Sequence, residues 1–230
     1  MKAQILPCGD RAVTILLGEE IRPEVNARVM ALCALLEGES IPGVVELVPA
    51  YCTLTVQYDP LALPAARLYP LLEDAAARTQ QAPRAASAPV ELPVLYGGFC
   101  GPDLSFVARH AGLGEDEVVR IHSGTDYLIY MLGFTPGFPY LGGMDGRIAA
   151  PRLETPRVKI PGGSVGIAGD QTGVYPIASP GGWRIIGRTP LRLFDPERTQ
   201  PFLLSAGQTV RFVPIGEAEY RRLGGGDEAC

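Results

Sequence analysis

GFTPGFPYLGG at 133–143, followed by PRLETPRVKIPGGSVGIAGDQTGVYPIASPGGWRIIGRTP at 151–190, decides the fold of this chain. Glycine and proline recur every few residues, yet Val, Ile and Tyr runs punctuate them, so this is not a diluted linker. Glycine admits positive φ and close backbone approach; proline fixes φ and removes a donor. Together they specify rigid turns between short strands. Outward from this stretch the short β-rich runs continue at intervals of about ten residues: YLIYML from Tyr127, RVKI, SVGIAG, TGVYPI, WRIIG, LRLFD and TVRFVPI. That rhythm predicts a closed or nearly closed β-barrel.

The first eighty residues have a different pattern. Ala12 to Leu17 is a short β-rich run, and Val25, Val29, Leu32, Cys33 and Leu36 form the stripe of an amphipathic helix that Gly38 helps to end. Val44 to Val48 and Thr53 to Tyr58 read as strands, and Pro64 opens a second helix with Leu68, Leu71, Leu72 and Ala75 on one face. The order βαββα lacks one strand of a ferredoxin-like split βαβ domain. ARTQQAPRAASAP then reads as a linker. Two domains are expected, 1–85 including the linker and 86–230, with the run Val90 to Tyr96 assignable to either. Asp103 is placed to cap a helix over Leu104 to Ala111, closed by Gly112, and a second helix follows from Glu115 to Ile121.

The chain of 230 residues has a formal charge of −5. From Pro151 to Arg192, however, Arg152, Arg157, Lys159, Arg184, Arg188 and Arg192 oppose only Glu154 and Asp170, a local +4, so the remainder carries −9. The overall sign argues against a nucleic-acid surface, while the local excess suits a small carboxylate or phosphate. Five widely spaced cysteines without a CxxC make neither a disulfide framework nor a zinc site, and no metal site is expected. The N-terminus lacks a signal-peptide core and no run reaches the ~20 apolar residues of a membrane helix, so a cytoplasmic protein without membrane association is expected.

Several side chains are candidates for chemistry. Arg157 and Lys159 share a face of an extended segment, where they could clamp an anion or simply guard a strand edge. His122 ends a helix, as a site residue or a protonated C-terminal cap. Trp183, and Phe134, Phe138 and Tyr140 of the aromatic loop, serve equally as ligand wall or core. Gly162-Gly163-Ser164-Val165-Gly166 spells G-x-S-x-G, but between two β runs rather than in the strand-to-helix elbow a hydrolase requires. No P-loop is present.

The segments GFTPGFPYLGG, PRLETPRVKIPGGSVGIAGDQTGVYP and SPGGWRIIGRTPLRLFD closely resemble signatures of the KipI family, also called allophanate hydrolase subunit 1 or the B component of 5-oxoprolinase. GDRAVTILLGEEI and PGVVELVPAYCTLTVQYDP resemble its N-terminal domain. The resemblance implies a cyclophilin-like β-barrel behind the ferredoxin-like domain. It implies one component of a hetero-oligomeric enzyme that opens 5-oxo-L-proline to L-glutamate with hydrolysis of ATP, alongside an A component and a KipA-like C component. ATP is the implied cofactor, bound partly or wholly on the partners. Alternative roles within the resemblance are inhibition of a sensor histidine kinase and a carboxyltransferase component of urea or allophanate metabolism. Position inside the matching motifs nominates His122, Lys159 and Gln171 for catalysis. It nominates Arg152, Arg157, Ser164, Trp183 and Arg188 for substrate or anion binding.

Overall fold

The computed structural model describes residues 3–79 and 88–226. The chain divides into two compact units, Met1–Ala86 and Ser87–Cys230. The first contains β1 (Gln4–Pro7), β2 (Ala12–Leu16), α1 (Pro23–Glu39), β3 (Val44–Pro49), β4 (Thr53–Tyr58) and α2 (Ala65–Arg78). Its four strands form an antiparallel sheet in the order β1-β2-β4-β3. Period-two alternation puts Val13 and Ile15 of β2 opposite Val56 and Leu54 of β4. These four side chains are buried against Val29, Leu32 and Leu36 of α1 and Leu68, Leu72 and Ala75 of α2.

Three expectations are corrected here. The strand beside β2 is supplied by the N-terminal hairpin with β1, pairing Ile5 with Ile15, and not by a strand following α2. α1 runs through Gly38 and stops at Ser40, which takes the left-handed conformation at φ 46° and donates its N–H to Glu37. Leu71 is exposed, because the buried stripe of α2 continues through Leu68, Leu72, Ala75 and Ala76.

The second unit contains β5 (Val90–Tyr96), α3 (Leu104–Ala111), α4 (Glu115–Ser123), β6 (Asp126–Gly133), β7 (Phe138–Gly142), β8 (Arg157–Ile160), β9 (Ser164–Ala168), β10 (Gln171–Val174), β11 (Ser179–Gly181), β12 (Arg184–Arg188), β13 (Thr209–Pro214) and α5 (Glu217–Arg222). Seven strands close a barrel in the order β10-β7-β6-β13-β5-β12-β9, and β9 pairs with β10 to complete the circle. β5, whose membership the sequence leaves open, enters the barrel parallel to β13 and antiparallel to β12. β8 and β11 form a separate ribbon. LRLFD, expected as a strand, forms only an isolated bridge between Phe194 and Phe202.

Two apolar layers explain why SVGIA of β9 is buried at every residue. Val165 and Ile167 face the barrel core with Leu92, Val94, Ile186 and Phe212. The opposite side is covered by Phe138, Ile160, Tyr175, Trp183 and Ile185. A strand covered on both faces loses its alternation. Val107 of α3 and Val118 and Ile121 of α4 join the barrel core, so these helices spend their apolar faces on it. Among the described residues no helix is long and apolar enough to cross a membrane.

Candidate functional site

Asp103 organises the cation-rich face of the second unit. Its backbone N–H donates to the Ile185 carbonyl at 2.9 Å, and its carboxylate accepts the Ile185 N–H at 2.7 Å. That orientation withdraws the side chain from the N-terminus of α3, where it makes no capping bond. The carboxylate instead receives both terminal nitrogens of Arg157, at 2.8 and 3.0 Å. Arg184 approaches the same carboxylate at 4.0 Å. Its guanidinium lies 3.5 Å from the centroid of Phe106, a cation–π stack, and its Nε donates to the Pro151 carbonyl at 3.2 Å. The side chains of Asp103 and Arg157 are 9% and 22% exposed, so solvent screens this pair poorly.

Backbone pairing draws the other cations to this region. The Leu153 N–H donates to the Gly182 carbonyl at 2.7 Å, which holds the Arg152 segment beside the turn leading to Trp183 and Arg184. Lys159 follows Arg157 along β8 and is exposed, as is Arg152. Tyr175 reports the shared field. Burial pushes its phenol up to about 12, while the Trp183 backbone and the charges of Arg152 and Arg157 pull the other way. Beneath the cations lies an aromatic layer, with Phe138 meeting Tyr140, Tyr175 and Trp183 edge-on at centroid distances of 5.2, 5.5 and 5.6 Å.

The candidate residues thus separate into groups. Arg152, Arg157 and Lys159 belong to the cation face, and Gln171 opens β10, half-buried and opposite Ala168. Arg157 does not offer its fork outward as expected, because Asp103 occupies it. Trp183 and Phe138 are core, and Tyr140 packs against them. Phe134 alone of the aromatic loop stands out, 67% exposed, with a left-handed φ of 62°. Ser164 and Arg188 face each other across β9 and β12, and both are buried.

His122 is sealed in the barrel, with no exposed surface. The Thr172 hydroxyl donates to the Gly166 carbonyl at 3.1 Å, so it accepts from Nε2–H of His122 at 2.8 Å. Nδ1 then accepts the Tyr96 O–H at 2.8 Å. Phe212 stacks on the imidazole at 4.6 Å between centroids. Burial drives the pKa down to about 3. The expected acid/base or protonated helix cap is therefore replaced by a neutral imidazole with both nitrogens engaged.

Asp103, Tyr175 and Phe106 escape sequence reasoning as site residues. The one signal for Asp103 is its place after Gly101-Pro102, which reads as a helix cap. Among the described residues no cluster of His, Cys, Asp and Glu could hold a metal ion.

Residues 3–204 match the family model described as carboxyltransferase domain, subdomain C and D. The B component of 5-oxoprolinase from Bacillus subtilis (strain 168) is 48% identical, over 96% of this chain and 96% of its own length. The chain belongs to the family of 5-oxoprolinase B components. The protein of the same name from Escherichia coli O157:H7 is 44% identical over 94% of this chain and 98% of its own. Family membership extends across both units, since these matches span nearly the whole chain. The crystal structure of TTHA0988 has a TM-score of 0.79 at 39% identity over 90% of this chain, which spans 40% of that longer chain. The fold of the B component thus also occurs within a larger polypeptide.

Proposed function

We propose that this chain is the B component of an ATP-dependent 5-oxoprolinase, acting with the A and C components to open 5-oxo-L-proline to L-glutamate as ATP becomes ADP and phosphate. The observation that carries this reading is the end-to-end correspondence with two relatives named as that component, at 48% and 44% identity. The cation face gives it a chemical rationale. An unstrained lactam resists water, and phosphorylating its amide oxygen supplies a leaving group and a more electrophilic carbon. The lactam oxygen takes the γ-phosphoryl group as ADP departs; water then adds to the ring carbon, the C–N bond breaks as nitrogen takes a proton and leaves an acyl phosphate, and a second water hydrolyses that to the carboxylate and phosphate. Every species on this route carries a carboxylate or phosphoryl charge that Lys159 and Arg152 can offset, with Arg157 held in place by Asp103.

ATP would reach this face from sites supplied partly or wholly by the partner chains. The test is to mix the purified chain with its A and C partners and follow ADP and glutamate together, with and without 5-oxo-L-proline. Both products are expected only from the full mixture; silence from a mixture whose components assemble overturns the reading. The carboxyltransferase description of the matching family model favours a second reading, in which the same cations hold a carboxylated nitrogen substrate. Carboxyl transfer from a biotinylated partner to urea, without glutamate production, would establish it instead.

A further inference from the structure

The first unit carries a surface of opposite sign to the cation face. β3 stands last in the order β1-β2-β4-β3, so one side of it has no strand neighbour among the described residues. Between this edge and the end of α1 lies a groove of 510 Å³, lined in part by Leu36, Glu37, Ile41, Val45, Glu46 and Leu47. A groove between a sheet edge and a helix is the shape in which an extended peptide adds itself to a sheet. Apolar surface stands open around it. Val45 is 65% exposed, and Leu61, on the loop packed against Gly43, is 94% exposed. This wall is preformed: the Asp59 N–H donates to the Gly43 carbonyl at 2.8 Å, and a Cβ on Gly43, where φ is +96°, would lie 2.6 Å from the Leu63 Cβ.

The charge of the groove selects its guest. α1 ends with the wrong sign for its own dipole, since its last turn holds no basic residue while the terminal carbonyls already carry partial negative charge. Arg78 offsets Glu39 at 2.6 Å. Glu37 instead accepts the Cys33 S–H at 3.7 Å. Burial first, and then the Glu37 charge, push that thiol up to about 12, so it donates as a neutral group and leaves the carboxylate's charge in place. Glu46 adds a second, exposed carboxylate, and among the described lining residues there is no lysine or arginine.

The backbone limits the guest to a short segment. Ala50 N–H bonds the Thr53 carbonyl at 2.8 Å, and the alternation of an antiparallel ladder then turns the N–H and carbonyl of Leu47 outward. Pro49 also faces outward but has no N–H, and the register shift between Val44 and Glu46 interrupts the edge at Val45. A second copy fits poorly, because its own β3 would bring Glu46 and Pro49 to the same edge.

We propose that this edge and groove dock a short extended segment of a partner polypeptide that carries lysine or arginine, its backbone pairing with Leu47 and its cations meeting Glu37 and Glu46. Its apolar side chains cover Val45 and Leu61. The docking is independent of the oxoprolinase reading and is tested on the chain alone, so the two fail separately.

The probe is a fluorescein-labelled hexapeptide alternating lysine with valine, titrated with the purified full chain and followed by anisotropy, beside its glutamate–valine counterpart. Saturable binding of the lysine peptide with a Kd below about 1 mM is expected, with none of the glutamate peptide. E37Q and E46Q should each weaken it three- to tenfold, and V45S two- to fivefold. E73Q removes the same charge from an exposed position on α2 and should leave affinity unchanged. Amide shifts in labelled protein should gather at residues 36–47. Each variant is checked by near-ultraviolet circular dichroism, and E46Q, at an exposed position, decides the matter if E37Q does not fold. Equal binding of both peptides, or equal losses in E73Q and E46Q, would overturn the proposal, as would absence of saturation. A dimer in sedimentation that V45S abolishes would place a second copy in the groove and overturn it as well.

Discussion

His122 and Asp103 are polar residues that the fold uses in different ways, one sealed in the barrel as a neutral ring and one bonded to a guanidinium and a backbone N–H. For His122 the folded pKa of about 3 lies below the ~6.5 of an unfolded imidazole. The unfolded chain therefore binds a proton that the native state refuses, so this contribution is fully present above pH ~6.5 and is lost as pH falls toward 3, at up to about 1.4 kcal/mol per pH unit. Urea unfolding of H122Q between pH 7.5 and pH 4.5 should show a slope against pH shallower by this single proton; a slope equal to the parent's would mean that the imidazole is not buried neutral. For Asp103 the carboxylate holds Arg157 at 2.8 Å and the Ile185 N–H at 2.7 Å. D103N removes the charge from a poorly solvated guanidinium, and a loss of about 2–4 kcal/mol is expected in the same assay at pH 7.5. High salt should recover little of it, since the pair is largely shielded from solvent.

The hairpin of β6 and β7 shows how one element divides its residues between core and surface. Phe138 is 2% exposed among Tyr140, Tyr175 and Trp183, whereas Phe134 is 67% exposed. F138A should cost about 3–5 kcal/mol in chemical denaturation through the cavity it leaves. F134A should stay within about 1 kcal/mol of the parent, because it forfeits one edge contact at an exposed position. The β8–β11 ribbon makes the complementary point. Arg157 and Lys159 lie two residues apart on one strand, as period-two geometry requires, yet the first is bound to Asp103 and the second is exposed. Shared direction along a strand does not make two cations a clamp when a carboxylate 54 residues away in sequence claims one of them.

At the scale of the whole molecule, Lys159 is where function and stability should separate. K159M in the assembled complex should lower glutamate production at least tenfold, while the thermal midpoint of the isolated chain moves by no more than about 2 °C, as expected for an exposed side chain. Unchanged turnover would remove Lys159 from the site. The amino-acid sequence by itself determined the barrel rhythm, the antiparallel βαββ core of the first unit, the excess of positive charge between Pro151 and Arg192, and the family, because each is written in local periodicity, turn chemistry or contiguous motifs. Tertiary structure alone decided which strand lies beside β2, which sheet takes Val90–Tyr96, and why LRLFD remains outside the barrel strands, since strand pairing joins residues far apart in the chain. It likewise decided that His122 is an interior residue, that Asp103 turns from a helix cap to an anchor for Arg157, and that Arg188 comes to line a cavity. The physical reason is common to all three: a side chain's charge state and partners depend on the dielectric and the neighbours that long-range packing brings to it, and neither is encoded in its own stretch of sequence.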